Sequence, residues 1–168
     1  MSSWPELREI QNVHINHVAE GFNEGLQCIA LPIAPGTIGL YTLNDEFEII
    51  STPREIALAS QEPCRALSWF TSSRVSYIAI ATASSVEIWD IARENTPTKC
   101  LQWKIDQQIY TVKWNPHRPL LSVQTNKGIH FVSPLSAMDG MIELPWAKNS
   151  KRMHCWNQTG TALAVYGN

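Results

Sequence analysis

The sequence predicts an all-β fold of short strands, and three observations carry that prediction. Helical periodicity is nearly absent: apolar residues alternate or gather in short runs. Clusters of Pro, Gly, Asn and Ser bound those runs, as turns bound strands. Tryptophans at the ends of similar runs recur about every 40 to 45 residues, a period that signals repeated supersecondary units.

The elements follow in chain order. Residues 1–25 are an N-terminal segment, unassigned or a closing strand, in which Leu7, Ile10, Val13 and Val18 fit a helix or a strand about equally, with a slight preference for an extended segment. From Leu26 to Ser60 the runs QCIAL, TIGLYTL, FEIIS and EIALA read as four strands. The acidic group Asn44-Asp45-Glu46-Phe47-Glu48 reads as a hairpin turn with solvated carboxylates. From Cys64 to Ile105 the runs are RALSWFT, YIAIATA, VEIWD and KCLQWKID. Tyr77–Ala83 is apolar on both faces, which suits a strand covered by sheets on either side. Lys99–Asp106 instead alternates Leu101, Trp103 and Ile105 with Gln102, Lys104 and Asp106, a half-buried pattern. A third set, Ile109 to Trp146, holds YTVKWNP, PLLSV and IHFVS. A fourth spans 152–168 and has only MHCW and ALAVYG.

Aligning Trp69, Trp114 and Trp156 gives spacings of 45 and 42 residues. Each is followed by turn residues and then an apolar run: Tyr77–Ala83, Leu120–Val123 and Ala162–Tyr166. A further short run begins at Val86 (VEIWD) and again at Ile129 (IHFVS), 43 residues on, with FEIIS at Phe47 aligned upstream. On these residues the chain resembles the WD40-type β-propeller repeat family. Val86-Glu87-Ile88-Trp89-Asp90 stands where that family ends its third strand. Leu67-x-Trp69, Val112-x-Trp114-Asn115-Pro116 and Trp156-Asn157-Gln158-Thr159-Gly160 match its first strand and turn.

The resemblance implies four-stranded blades arranged as an incomplete arc of three and a half, at 26–60, 64–105, 109–146 and 152–168. It implies Trp69, Trp89, Trp114 and Trp156 as structural strand-end aromatics. The sequence also departs from the family. No Gly-His dipeptide precedes a first strand, Ser84-Ser85 and Asn126-Lys127-Gly128 replace the usual turn aspartate, and one repeat alone has Trp-Asp. The family's buried hydrogen-bond tetrad is therefore expected to be incomplete, with apolar packing holding the blades. Closed propellers have typically four to eight blades, so three explanations of the arc stand: an excerpt of a longer protein, an edge after Asn168 filled by a partner's strands, or self-closure by residues 5–18.

Composition bounds the function classes. A chain of 168 residues with 44% hydrophobic and 17% charged residues has the make-up of a folded domain. Its net charge of −2 argues against a broad nucleic-acid or membrane footprint. The first ten residues do not read as a secretory signal and no apolar run is long enough for a membrane span, so a cytoplasmic or nuclear location is expected. Cys28, Cys64, Cys100 and Cys155 lie far apart, which suits free thiols.

No catalytic constellation, metal site or cofactor site is expected. His14 and His17 lie three apart without an acidic or thiol partner, His117 falls in a turn, and His130 and His154 sit inside strands as structural imidazoles. No G-x-S-x-G, phosphate-binding glycine loop or H-E-x-x-H is present. The basic residues Lys148, Lys151 and Arg152 occupy the connection between the third and fourth blades, where a partner could dock on the rim. The reading is a non-catalytic interaction scaffold whose partners are other protein subunits. The alternative is a nuclear reader of a histone tail or nucleic acid through the rim or channel.

Overall fold

The computed structural model describes residues 22–91, 96–134, 136–143 and 153–166. Residues 5–18, one of the alternatives for closing the arc, with His14 and His17, and the basic residues Lys148, Lys151 and Arg152 lie outside the described residues. The described chain forms fourteen strands, with a single 3-10 turn at Glu24–Leu26 and no α-helix. Sheet one comprises β1 (Phe22–Asn23), β2 (Cys28–Ala34), β3 (Thr37–Thr42) and β4 (Arg54–Ala57). Sheet two comprises β5 (Ala66–Thr71), β6 (Ser76–Ala81), β7 (Ser85–Asp90) and β8 (Thr98–Lys104). Sheet three comprises β9 (Ile109–Trp114), β10 (Leu121–Thr125), β11 (Gly128–Ser133) and β12 (Ser136–Glu143), and β13 (Met153–Trp156) pairs with β14 (Leu163–Tyr166) as sheet four.

Every sheet is an antiparallel meander with its strands paired in chain order. The first strands of successive sheets lie side by side: β1 by β5, β5 by β9, and β9 by β13. Sheets stacked face to face around their first strands are the architecture of a β-propeller, here an open arc among the described residues.

The period of two in each strand explains the stacking. In β6 all six residues are buried, and alternate side chains serve different neighbours. Ile78 and Ile80 meet Ala30, Ile38, Leu40 and Ile56 of sheet one. Tyr77, Ala79 and Ala81 face Val112, Trp114, Leu121 and Val123 of sheet three. The small alanines leave room for the larger side chains opposite, so total volume is conserved across the junction. The outermost strand β8 keeps the half-buried alternation read in the sequence, with Leu101 and Trp103 inward and Gln102 and Lys104 exposed.

Sheet one differs from the sequence reading in register. FEIIS is no strand: the segment makes one isolated bridge, Leu43 with Ile49, and Phe47, Ile49 and Ile50 are exposed. The cause is Asn44, whose side-chain oxygen accepts the backbone N–H groups of Glu46 and Glu48 and curls the chain into a turn. The third strand is Thr37–Thr42, and the first is Phe22–Asn23, ahead of the expected Leu26 boundary. Two residues at β1 carry too little pattern to be read as a strand. In sheet two the Trp-Asp run does occupy the third strand.

Candidate functional site

The strand tryptophans tie successive sheets together. The Trp114 indole donates to the Ser68 carbonyl at 3.0 Å, and its backbone N–H donates to Ser68 Oγ at 3.2 Å. One sheet further on, the Trp156 indole donates to the Lys113 carbonyl at 3.3 Å and to Ser122 Oγ at 3.1 Å. In both cases the acceptor carbonyl belongs to the residue just before the preceding sheet's tryptophan, Trp69 or Trp114. The repeat read from tryptophan spacing is therefore a repeat of inter-sheet hydrogen bonds. Trp69 and Trp89 pack, half-buried, against the core shared by sheets one and two.

Trp89 also points to a buried charge that the sequence reading missed. Its indole donates to Glu87 at 3.1 Å, and the other Glu87 oxygen accepts the Ala59 backbone N–H at 2.7 Å. Lys99 Nζ lies 3.7 Å from the same carboxylate, whose side chain is 2% exposed. The carboxylate thus clasps the link from sheet one onto the third strand of sheet two. A glutamate inside an otherwise apolar run was the available signal.

A polar cluster sits between sheets three and four. Ser122 Oγ lies 2.8 Å from His154 Nε2, and His154 Nδ1 lies 3.1 Å from Gln124 Oε1. Ser122 donates its one proton to the Lys113 carbonyl at 2.8 Å, so the imidazole is the donor toward Ser122. The order hydroxyl, imidazole, orienting group matches that of a nucleophilic triad. Its setting does not, since Ser122 and His154 are 0% and 2% exposed and no bound carbonyl could approach the hydroxyl. Burial, reinforced by nearby Lys113 and opposed by a hydrogen bond with the Ser122 backbone, lowers the His154 pKa to about 4. The arrangement acts as a clamp where two sheets meet: Ser122 is paired on both sides, and the imidazole's other nitrogen, an acceptor once Nε2 donates, is satisfied by the Gln124 amide with its NH2 turned toward it.

The remaining histidines divide. His117 lies in the β9–β10 turn and its Nε2 sits 2.8 Å from the Gln158 carbonyl in the β13–β14 turn. His130, on β11, meets Gln107 at 3.1 Å and the edge of Trp103, but its buried Nδ1 has no partner. His130 is thus less fully satisfied than the sequence reading expected, and burial lowers its pKa. Cys28, Cys64, Cys100 and Cys155 are free, and burial pushes the Cys64 thiol up to about 12. Among the described residues no three His, Cys, Asp or Glu side chains converge as metal ligands would. No helix among them is long and apolar enough to cross a membrane.

The solvated chemistry lies on the two rims. One rim carries the sheet-to-sheet connections at 58–65 and 105–108, with an open cleft between Ser60, Ser84, Lys104 and Asp106. There Ser84 donates to Glu62, and together with Thr82 holds the Glu62 carboxyl below its ordinary pKa. The opposite rim carries the β3–β4 loop and the turns after β5, β9 and β13.

Solved structures that resemble this arrangement include two β-propeller domains. The β-propeller domain of Cps50 (Swd1) from Myceliophteria thermophila superposes with a TM-score of 0.66 at 14% identity, covering 94% of this chain and 51% of that one. The β-propeller domain of Nup133 from Vanderwaltozyma polyspora gives 0.50 at 12% identity, covering 88% and 54%. The chain thus spans about half the length of the propeller domains it matches. These likenesses establish the propeller fold. No family model and no curated protein sequence matches the chain.

Proposed function

We propose that this chain is a WD40-like propeller unit that serves as a non-catalytic interaction scaffold within a multi-protein assembly. One observation carries the reading. The polar side chains inside the strands, Ser68, Glu87, Ser122, Gln124 and His154, are buried and mostly spent on holding sheets together. The chemistry offered to solvent therefore lies in loops mounted on a rigid frame, which is how binding surfaces are built on such scaffolds. Fold likeness to two propeller domains is compatible with this role but does not specify it. Within the same proposal, blades fall near 26–60, 64–105, 109–146 and 152–168. Lys148, Lys151 and Arg152 form a partner contact, and the protein works in the cytoplasm or nucleus.

The test is cross-linked affinity purification of the full-length protein from its own cells, followed by size-exclusion chromatography with light scattering. Co-elution with protein subunits at fixed stoichiometry is the expected result. A protein that elutes as a monomer with no stoichiometric companion would overturn the scaffold reading.

A further inference from the structure

We propose that the β3–β4 loop, residues 43–53, is a docking site for a protein partner that presents an apolar pocket ringed by Lys and Arg. The proposal rests on the scaffold reading only in that the partner is a protein. Within four consecutive residues, Phe47 is 54% exposed, Ile49 38% and Ile50 61%. Single exposed apolar residues are ordinary, whereas a contiguous apolar group rimmed by charge marks an interaction surface. The rim here is acidic: Leu43 to Pro53 contains Asp45, Glu46 and Glu48 and no Lys, Arg or His. A basic partner is the one whose charge complements it.

The loop holds these side chains out in a fixed shape. Buried Leu43 anchors one end, and its N–H donates to the Gln27 carbonyl at 2.7 Å. Asn44 closes the turn through its side-chain oxygen, and its amide donates to Glu48 at 3.2 Å. The Gln27 side chain reaches across to Asp45. At the far end, the Ile50 N–H donates to the Thr42 carbonyl at 3.0 Å. A loop tied at so many points loses little conformational freedom on binding, which favours affinity. The site lies on the rim opposite the described sheet-to-sheet connections at 58–65 and 105–108.

A display library of random 12-residue peptides, selected on the immobilised full-length protein, provides the test. The expected peptides combine Lys or Arg with Phe, Trp or Leu. Their binding should weaken at least about tenfold in Phe47→Ser/Ile50→Ser, and by a smaller factor in Glu46→Lys or at high salt. Glu46→Lys changes only a solvated charge, and matched melting temperatures show whether each variant is folded. Acidic peptides, or no enrichment at all, would overturn the proposal. Peptides retained equally by both variants would also overturn it, while leaving the scaffold reading intact with its contact elsewhere.

Discussion

The junction between sheets two and three and the junction between sheets three and four are built from equivalent strands, yet they are held differently. In the first, Phe70, Tyr77 and Trp114 form an aromatic group with centroids 5.6 to 6.4 Å apart, packed with Ala79, Val112, Leu121 and Val123. In the second, Ser122, Gln124 and His154 meet in a buried polar cluster. Strand β10 belongs to both: Leu121 and Val123 serve the apolar side, and Ser122 and Gln124 serve the polar one. The comparison teaches that one repeat period tolerates opposite chemistries, the buried polar cluster being held by groups that pair with one another. Both junctions are also pinned by directed bonds, Trp114 to Ser68 in the first and Trp156 to Lys113 and Ser122 in the second.

The largest expected effect breaks the apolar junction. Trp114→Ala removes the shared aromatic ring and the indole bond to Ser68, and should cost about 3–5 kcal/mol in urea unfolding. A loss below about 1 kcal/mol would mean that the sheets do not depend on this contact.

Acid should act on the polar junction. Burial holds His154 near pKa 4, against 6.5 for an ordinary imidazole. Between those values the unfolded chain binds more protons than the folded one, so folding opposes protonation of His154. The His154 contribution is complete above pH 6.5 and declines as the pH falls toward 4. The full difference is roughly 3 kcal/mol. Other carboxylates titrate over the same range, so the informative quantity is the difference between the wild type and His154→Gln. Parallel stability–pH curves for the two proteins would contradict the assignment.

Removing one serine from each junction sharpens the contrast further. Ser122→Ala leaves His154 Nε2 without its partner and takes an acceptor from the Trp156 indole, so a loss of about 1–3 kcal/mol is expected. Ser68→Ala should cost about 1 kcal/mol, because the Trp114 backbone N–H loses its bond to Ser68 Oγ while the indole keeps the Ser68 backbone carbonyl. Equal losses in thermal or urea unfolding would erase the distinction between the junctions. An effect between these two comes from Gly160, at the turn facing Asn115. It has φ +67°, and an added Cβ would lie 2.5 Å from Asn115 Oδ1. Gly160→Ala should cost about 1–2 kcal/mol by calorimetry, less than the loss of Trp114.

Much of the frame was legible because burial on both faces leaves a local mark. Tyr77–Ala83 could be read as a doubly covered strand from its own residues, and Trp69, Trp114 and Trp156 from their spacing. FEIIS was misread for an equally local reason: Phe47, Ile49 and Ile50 have strand-forming side chains, but Asn44 diverts the backbone donors of Glu46 and Glu48 into a turn. Glu87 and Ser122 were overlooked as structural groups, since their partners lie 28 and 32 residues away in sequence.

The sequence by itself determined the strand period, the repeat length and the all-β class, because these depend on side chains a few residues apart. Only the tertiary structure decided that Ser122, Gln124 and His154 close a junction and that Phe47, Ile49 and Ile50 face solvent. A polar residue in a strand is costly or stabilising according to what the next sheet places opposite it, and that choice is made across space, not along the chain.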